Sequence, residues 1–89
     1  MIKALIVDDE PLAQEVLETY IGKMPGMELV GKCENAIMAN EALKKNAVDL
    51  MFLDIQMPQI TGIDFLKSLP NPPVVIFTTC SNPSLLNDL

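Results

Sequence analysis

Three carboxylates carry the chemistry this sequence is equipped to do. Asp8 and Asp9 follow the apolar run "IKALIV", and Asp54 closes the run "LMFL". Side by side in one sheet the two runs would lie ~4.8 Å apart, which brings all three carboxylates within reach of a single ion. Three like charges that close raise one another's pKa values and oppose folding unless something positive occupies the gap. A hard divalent cation is the natural occupant: Mg²⁺ takes one or two carboxylates, a carbonyl oxygen and several waters. The stretch "DIQMPQITG", Asp54 to Gly62, supplies the turn that follows. Met57 and Pro58 keep that turn in one conformation, and Gly62 permits a close or left-handed backbone. Taken separately, Asp8 and Asp9 read as helix-capping residues and Asp54 as a turn residue after a strand. The weight lies in their joint placement on two buried strands.

The elements that must position them are legible from periodicity. Ile2 to Val7 is short, rich in β-branched residues and almost wholly apolar, as a strand covered on both faces would be. Leu12, Ala13, Val16, Leu17, Tyr20 and Ile21 then recur at helical spacing, with Pro11 suited to the first turn and a stop before "MPG". Met27 to Cys33 is a weaker strand, interrupted by Gly31. Asn35 is placed to cap a helix through about Lys45, with Ile37, Met38, Ala42 and Leu43 facing inward. Asp49 to Leu53 is the second strongly buried strand, followed by a short helix from about Ile63 to Leu69 and a strand from Val74 to Thr79. The closing "NPSLLNDL" reads as the opening of another helix. Strands alternating with helices through short connections predict a parallel sheet with helices on both faces and right-handed crossovers. Such sheets bind ligands outside the carboxyl ends of their strands.

Eighty-nine residues suffice for one domain, and 49% hydrophobic content predicts a buried core. The 12 acidic against 6 basic residues, with no histidine, give a net charge of −6. That balance argues against direct contact with nucleic acid, which needs clustered Lys and Arg, and suits a cation. Cys33 and Cys80 form no zinc-binding spacing and are expected as reduced, buried thiols. With no leader-like segment and no apolar run approaching the ~20 residues of a membrane span, a soluble cytoplasmic protein is expected. Asp49 and Asp64 are expected at a strand edge and on a solvated helix face, and the methionines in packing roles.

"IVDDEP", "DLMFLDIQMPQITG" and "PPVVIFTTC" together resemble the receiver domain of two-component response regulators, and "FLDIQMP" with "VIFTT" is most similar to the LytTR-type members. The resemblance spans Met1 to about Cys80. It implies a CheY-like, flavodoxin-like doubly wound sheet of strand order 2-1-3-4, a phosphoaccepting regulatory domain rather than an enzyme, and a sensor histidine kinase as partner. Asp54 matches the phosphoaccepting aspartate, Asp9 the direct magnesium ligand and Asp8 the acidic residue that holds the metal through water. Gln56 matches the residue whose backbone carbonyl meets the metal. Thr79 matches the switch hydroxyl, with Thr78 as the fallback.

The family pattern continues with a further helix, a fifth strand ending in Lys-Pro and a last helix. "SNPSLLNDL" does not resemble it, and no lysine follows Lys67. Residues 1–89 are therefore expected to form a receiver domain truncated before the fifth strand and last helix, with phosphotransfer slow and signal output uncoupled for want of that lysine. The strand "VVIF" would then be a bare apolar edge. Without the last helix one face of the first and third strands would also lie bare, and burying even ~400 Å² of this surface at ~25 cal/mol/Å² is worth ~10 kcal/mol, so a dimer or a swapped oligomer is expected. Two other readings remain open: a degenerate receiver that serves only as a dimerisation module, and an aspartate-nucleophile phosphatase. The second fits poorly, because Gln56 stands where those enzymes usually carry a second acidic residue.

Overall fold

The computed structural model describes residues 1–57 and 59–78. Their elements are β1 (Ile2–Val7), α1 (Pro11–Gly22), β2 (Met27–Cys33), α2 (Ala36–Lys45), β3 (Leu50–Asp54), α3 (Gly62–Ser68) and β4 (Val74–Thr78). The strands form one sheet in the order β2-β1-β3-β4, and every pair is parallel. The parallel pairing is that expected from the alternation of strands and helices, and the order is the flavodoxin-like one that the resemblance to receiver domains implies. None of the described helices is long and apolar enough to cross a membrane.

Alternation along β1 explains why it is apolar on both faces. Leu5 and Val7 join Met51, Leu53, Ala39 and Phe65 under α2 and α3, while Ala4 and Ile6 pack with Ile21 under α1. Asn35 caps α2 as expected, its Oδ1 accepting from Met38 N–H at 2.8 Å. Thr61 does the same for α3, accepting from Asp64 N–H at 3.1 Å. Asp64 sits exposed in the first turn of α3, where its charge suits the helix dipole. Gly31 does not end β2. It lies beside a bulge, where the register passes from Ala4–Leu29 to Leu5–Gly31 and leaves Val30 unpaired with β1.

The third strand starts and ends one residue later than expected. Asp49 lies just outside it and anchors its start: Asp49 Oδ2 accepts from Lys3 N–H at 2.9 Å, and Asp49 N–H donates to Lys3 O at 2.8 Å. Asp54 is consequently part of the strand and pairs with Thr78 of β4. α3 begins one residue early, at Gly62. The expected closing helix and Cys80 lie outside the described residues.

The expected inward face of α2 needs correction. Ile37 is 69% exposed and Met38 41%, whereas Ala39 is buried with Ala36, Ala42 and Leu43 packed around it. Small side chains let this helix lie close on the sheet, so the larger apolar residues are displaced to its flank. On α1, Leu17 and Ile21 pack against the sheet while the neighbouring stripe Leu12, Val16 and Tyr20 stays exposed.

Gln59 holds φ +74° in the turn between β3 and α3. A side chain costs about 1–2 kcal/mol in that left-handed region, partly offset by the greater chain entropy a glycine loses on folding. Gln59→Gly should therefore raise the urea midpoint, by about 0.5–1 kcal/mol of stability, at an unchanged m value; a lower midpoint would contradict the strain.

Candidate metal centre

β1 and β3 are neighbours at the centre of the sheet, with Val7 opposite Leu53. Asp8, just past the end of β1, and Asp54, the last residue of β3, thus lie side by side at the carboxyl edge of the sheet, and Asp9 follows on the loop into α1. One carboxylate oxygen from each of Asp8, Asp9 and Asp54 lies within 4.8 Å of the others. Asp8 is 5% exposed and Asp54 6%, with Asp9 half-buried. Asp8 Oδ1 accepts from Glu10 N–H at 2.9 Å, and Asp54 Oδ1 accepts from Gln56 N–H at 3.1 Å. Asp8 therefore caps its own loop rather than the first helical N–H groups. The ion pair among the described residues, Lys32 with Glu18 at 3.0 Å, involves none of the three carboxylates.

These surroundings disfavour the charged forms. Burial, then the neighbouring charges of Asp8 and Asp9, push the Asp54 carboxyl up to about 6 against the opposing pull of the Gln56 amide. Burial also raises Asp8, with the Asp9 charge adding to it and the Glu10 amide opposing it. Between the unfolded value near 3.9 and about 6, the folded chain binds more protons at Asp54 than the unfolded chain does. Stability from this group therefore falls as pH rises through that window, as long as no cation neutralises the cluster. Three hard oxygen donors with unbalanced charge fit a divalent cation of the Mg²⁺ class.

The turn that carries Asp54 onward is held from two sides. Met57 is buried in the core under α2 and α3. Gly62 N–H donates to Ile55 O at 2.8 Å. A methyl group on Gly62 would collide with the Asp54 backbone carbonyl and press on Ile55 Cα at 3.1 Å. Gly62 thus serves close approach rather than a left-handed turn, since its φ is not positive. Pro58 lies outside the described residues.

Of the other expected residues, Gln56 adjoins the cluster through its amide, as above. Thr79 lies outside the described residues. Thr78 faces Asp54 in the sheet register, and its Oγ1 is buried without a hydrogen-bond partner among the described residues. Sequence reading missed Gln14, a half-buried residue of α1 whose Nε2 donates to Asp8 O at 2.7 Å and Cys33 O at 3.1 Å. Its only signal was a polar amide within one turn of the apolar stripe of α1.

The family model of the response regulator receiver domain matches residues 4–88. The chain belongs to this family. Among curated relatives of this receiver, the transcriptional regulatory protein BtsR of Escherichia coli (strain K12) is 44% identical over 81 residues, which cover 89% of this chain and 34% of BtsR. The chain thus spans about a third of the length of the curated relatives it matches. Among solved structures, the MaeR response regulator bound to beryllium trifluoride superposes with a TM-score of 0.84 at 30% identity, over 99% of this chain and 75% of that one. The response regulator TrrA of Thermotoga maritima, in complex with Mg²⁺ and beryllium fluoride, gives 0.79 at 29% identity, over 93% of this receiver and 73% of TrrA.

Proposed function

We propose that this receiver accepts a phosphoryl group on the Asp54 carboxylate from a phosphohistidine of a partner sensor kinase. The observation that carries the reading is the cluster of Asp8, Asp9 and Asp54 oxygens within 4.8 Å, two of them on buried residues and none ion-paired among the described residues. Asp9 and Asp54 would hold Mg²⁺ directly, Asp8 through water, with the Gln56 backbone carbonyl completing the protein's share. Bound Mg²⁺ supplies positive charge to the phosphoryl oxygens during transfer. An Asp54 oxygen attacks phosphorus in line as the P–N bond to the histidine breaks, which leaves an acyl phosphate on the receiver. The beryllium trifluoride complex of MaeR and the Mg²⁺–beryllium fluoride complex of TrrA support carrying this chemistry to Asp54. Thr79 is the hydroxyl that would then turn toward a phosphoryl oxygen; Thr78, opposite Asp54 with a buried hydroxyl that has no partner among the described residues, is the alternative.

On this reading residues 1–89 form one receiver unit of a cytoplasmic regulator, a domain that is modified rather than one that turns over substrate. The likeness to BtsR, a transcriptional regulatory protein, together with the LytTR-type wording of "FLDIQMP" and "VIFTT", extends the proposal to a full-length transcriptional regulator whose effector domain binds DNA. A second reading, a receiver that serves only to dimerise, is favoured by β4, the last strand of the described sheet, where Val74, Ile76 and Phe77 are exposed. One experiment separates them. Millimolar Mg²⁺ with a small phosphodonor should add one phosphoryl group's mass to the wild-type chain and none to Asp54→Ala. An unmodified wild-type chain that still binds Mg²⁺ would leave the dimerisation module.

A further inference from the structure

We propose that Gln14 is a positioning residue for the acidic cluster, acting through the backbone of Asp8 to keep the loop that carries Asp8 and Asp9 turned toward Asp54. The inference rests on the reading of the cluster as a cation site. Asp8 is gripped at three of its polar groups. Its N–H donates to Cys33 O at 2.9 Å, its carbonyl accepts from Gln14 Nε2 at 2.7 Å, and its Oδ1 accepts from Glu10 N–H at 2.9 Å. The same Gln14 nitrogen reaches Cys33 O at 3.1 Å. One carboxamide therefore ties the end of β1, the end of β2 and the first turns of α1 together directly beneath the cluster.

The cluster supplies the reason for such a tie. Asp8, Asp9 and Asp54 repel one another, and the simplest relief is for the loop after β1 to swing its two carboxylates outward into water. β1 itself cannot yield, since Ala4 to Val7 are fully buried. The loop can, and Gln14 is the side chain that spans from α1 to its first carbonyl. A neutral amide suits this position because it offers two N–H groups to two carbonyls and adds no charge beside the carboxylates. An apolar side chain would take from the Asp8 carbonyl its donor and leave the Cys33 carbonyl with the Asp8 N–H alone, and a glutamate would add a fourth negative group. Partners that orient ligating residues from behind typically change metal affinity 10–100-fold when removed.

The test uses the 89-residue chain and its Gln14→Met and Gln14→Ala variants, titrated calorimetrically with MgCl₂ well below each variant's melting temperature in chelator. Both variants should fold and bind Mg²⁺ about tenfold more weakly than wild type, while Asn35→Ala, which removes the α2 cap, should lower the melting temperature and leave affinity unchanged. Wild-type affinity in either folded Gln14 variant overturns the proposal and leaves the cation site standing. Absence of Mg²⁺ binding by wild type removes the cation site, and the proposal with it. A further measurement needs no variant: the Gln14 side-chain NH₂ resonances should move little with temperature, as internally bonded amides do. Resonances that shift as freely as those of exposed Gln59 would also overturn it.

Discussion

Replacing Gly62 by alanine should destabilise the domain by about 1–2 kcal/mol and disturb the acidic site at the same time. Two effects oppose each other at this position. Alanine favours a helix over glycine by about 1 kcal/mol, and Gly62 is the first residue of α3. Against that, the added methyl would meet the carbonyl carbon of Asp54 at 3.0 Å, with the carbonyl oxygen nearer still and Ile55 Cα at 3.1 Å. These are backbone atoms of the last strand residue and its successor, so neither can step aside as a side-chain tip would. Overpacking against fixed atoms costs about 1–3 kcal/mol and occasionally more, which outweighs the helical gain. Against a typical total of about 5–15 kcal/mol, a loss of that size is visible as a drop in the urea midpoint. The same displacement moves Asp54 from its neighbours, so Mg²⁺ should rescue the variant less than wild type. A variant as stable as wild type would show that the turn relaxes cheaply and that the close approach is incidental.

The second large effect is a reversal of sign. Without divalent cations, Asp54→Asn should stabilise the fold at pH 7.5, on the order of 1–2 kcal/mol once screening by water and salt is allowed for. Asparagine keeps an oxygen to accept from the Gln56 amide and removes a buried charge from beside Asp8 and Asp9. The wild-type melting temperature in chelator should fall from pH 5 to pH 7.5 as Asp54 ionises, and the variant's should fall less. With Mg²⁺ the order inverts. Wild type gains RT ln(1+[Mg²⁺]/Kd), about 2.7 kcal/mol at a hundredfold excess over Kd, and the variant loses most of that gain. Thermal melts of both chains at two pH values, in chelator and in millimolar MgCl₂, check the full set. A variant that melts below wild type in chelator would mean that Asp54 is held mainly by favourable contacts, and the repulsive cluster would have to be abandoned.

The sheet and the acidic trio were legible because they rest on strong local signals. "IKALIV" can hardly be anything but a strand buried on both faces, and a parallel sheet puts residues after its strands at one edge. The helix faces were harder. Hydrophobicity ranks Ile37 and Met38 above Ala36 and Ala39, yet the smaller residues pack because they allow the backbone of α2 to approach. On α1 two apolar stripes run side by side, and periodicity has no means of saying which one meets the sheet. Gln14 escaped notice because its role lies in two carbonyls that only the fold brings together, one of them on β2. Gly62 stands out in the sequence for the right general reason, freedom from a side chain, while the steric neighbour that demands it is set by the turn alone.

The central strand has a consequence for timing. β1 is hydrogen-bonded to β2 on one side and β3 on the other, with Ala4 to Val7 wholly inaccessible to solvent. Such a segment opens only when the whole domain unfolds, and its amides would be the last to take up deuterium. Asp8 hangs from that segment. Asp54 hangs from a strand whose other neighbour, β4, carries exposed side chains and lies last in the described sheet. The two walls of the site thus differ in protection: amides of β4, beside the strand that carries Asp54, should take up deuterium well before those of β1.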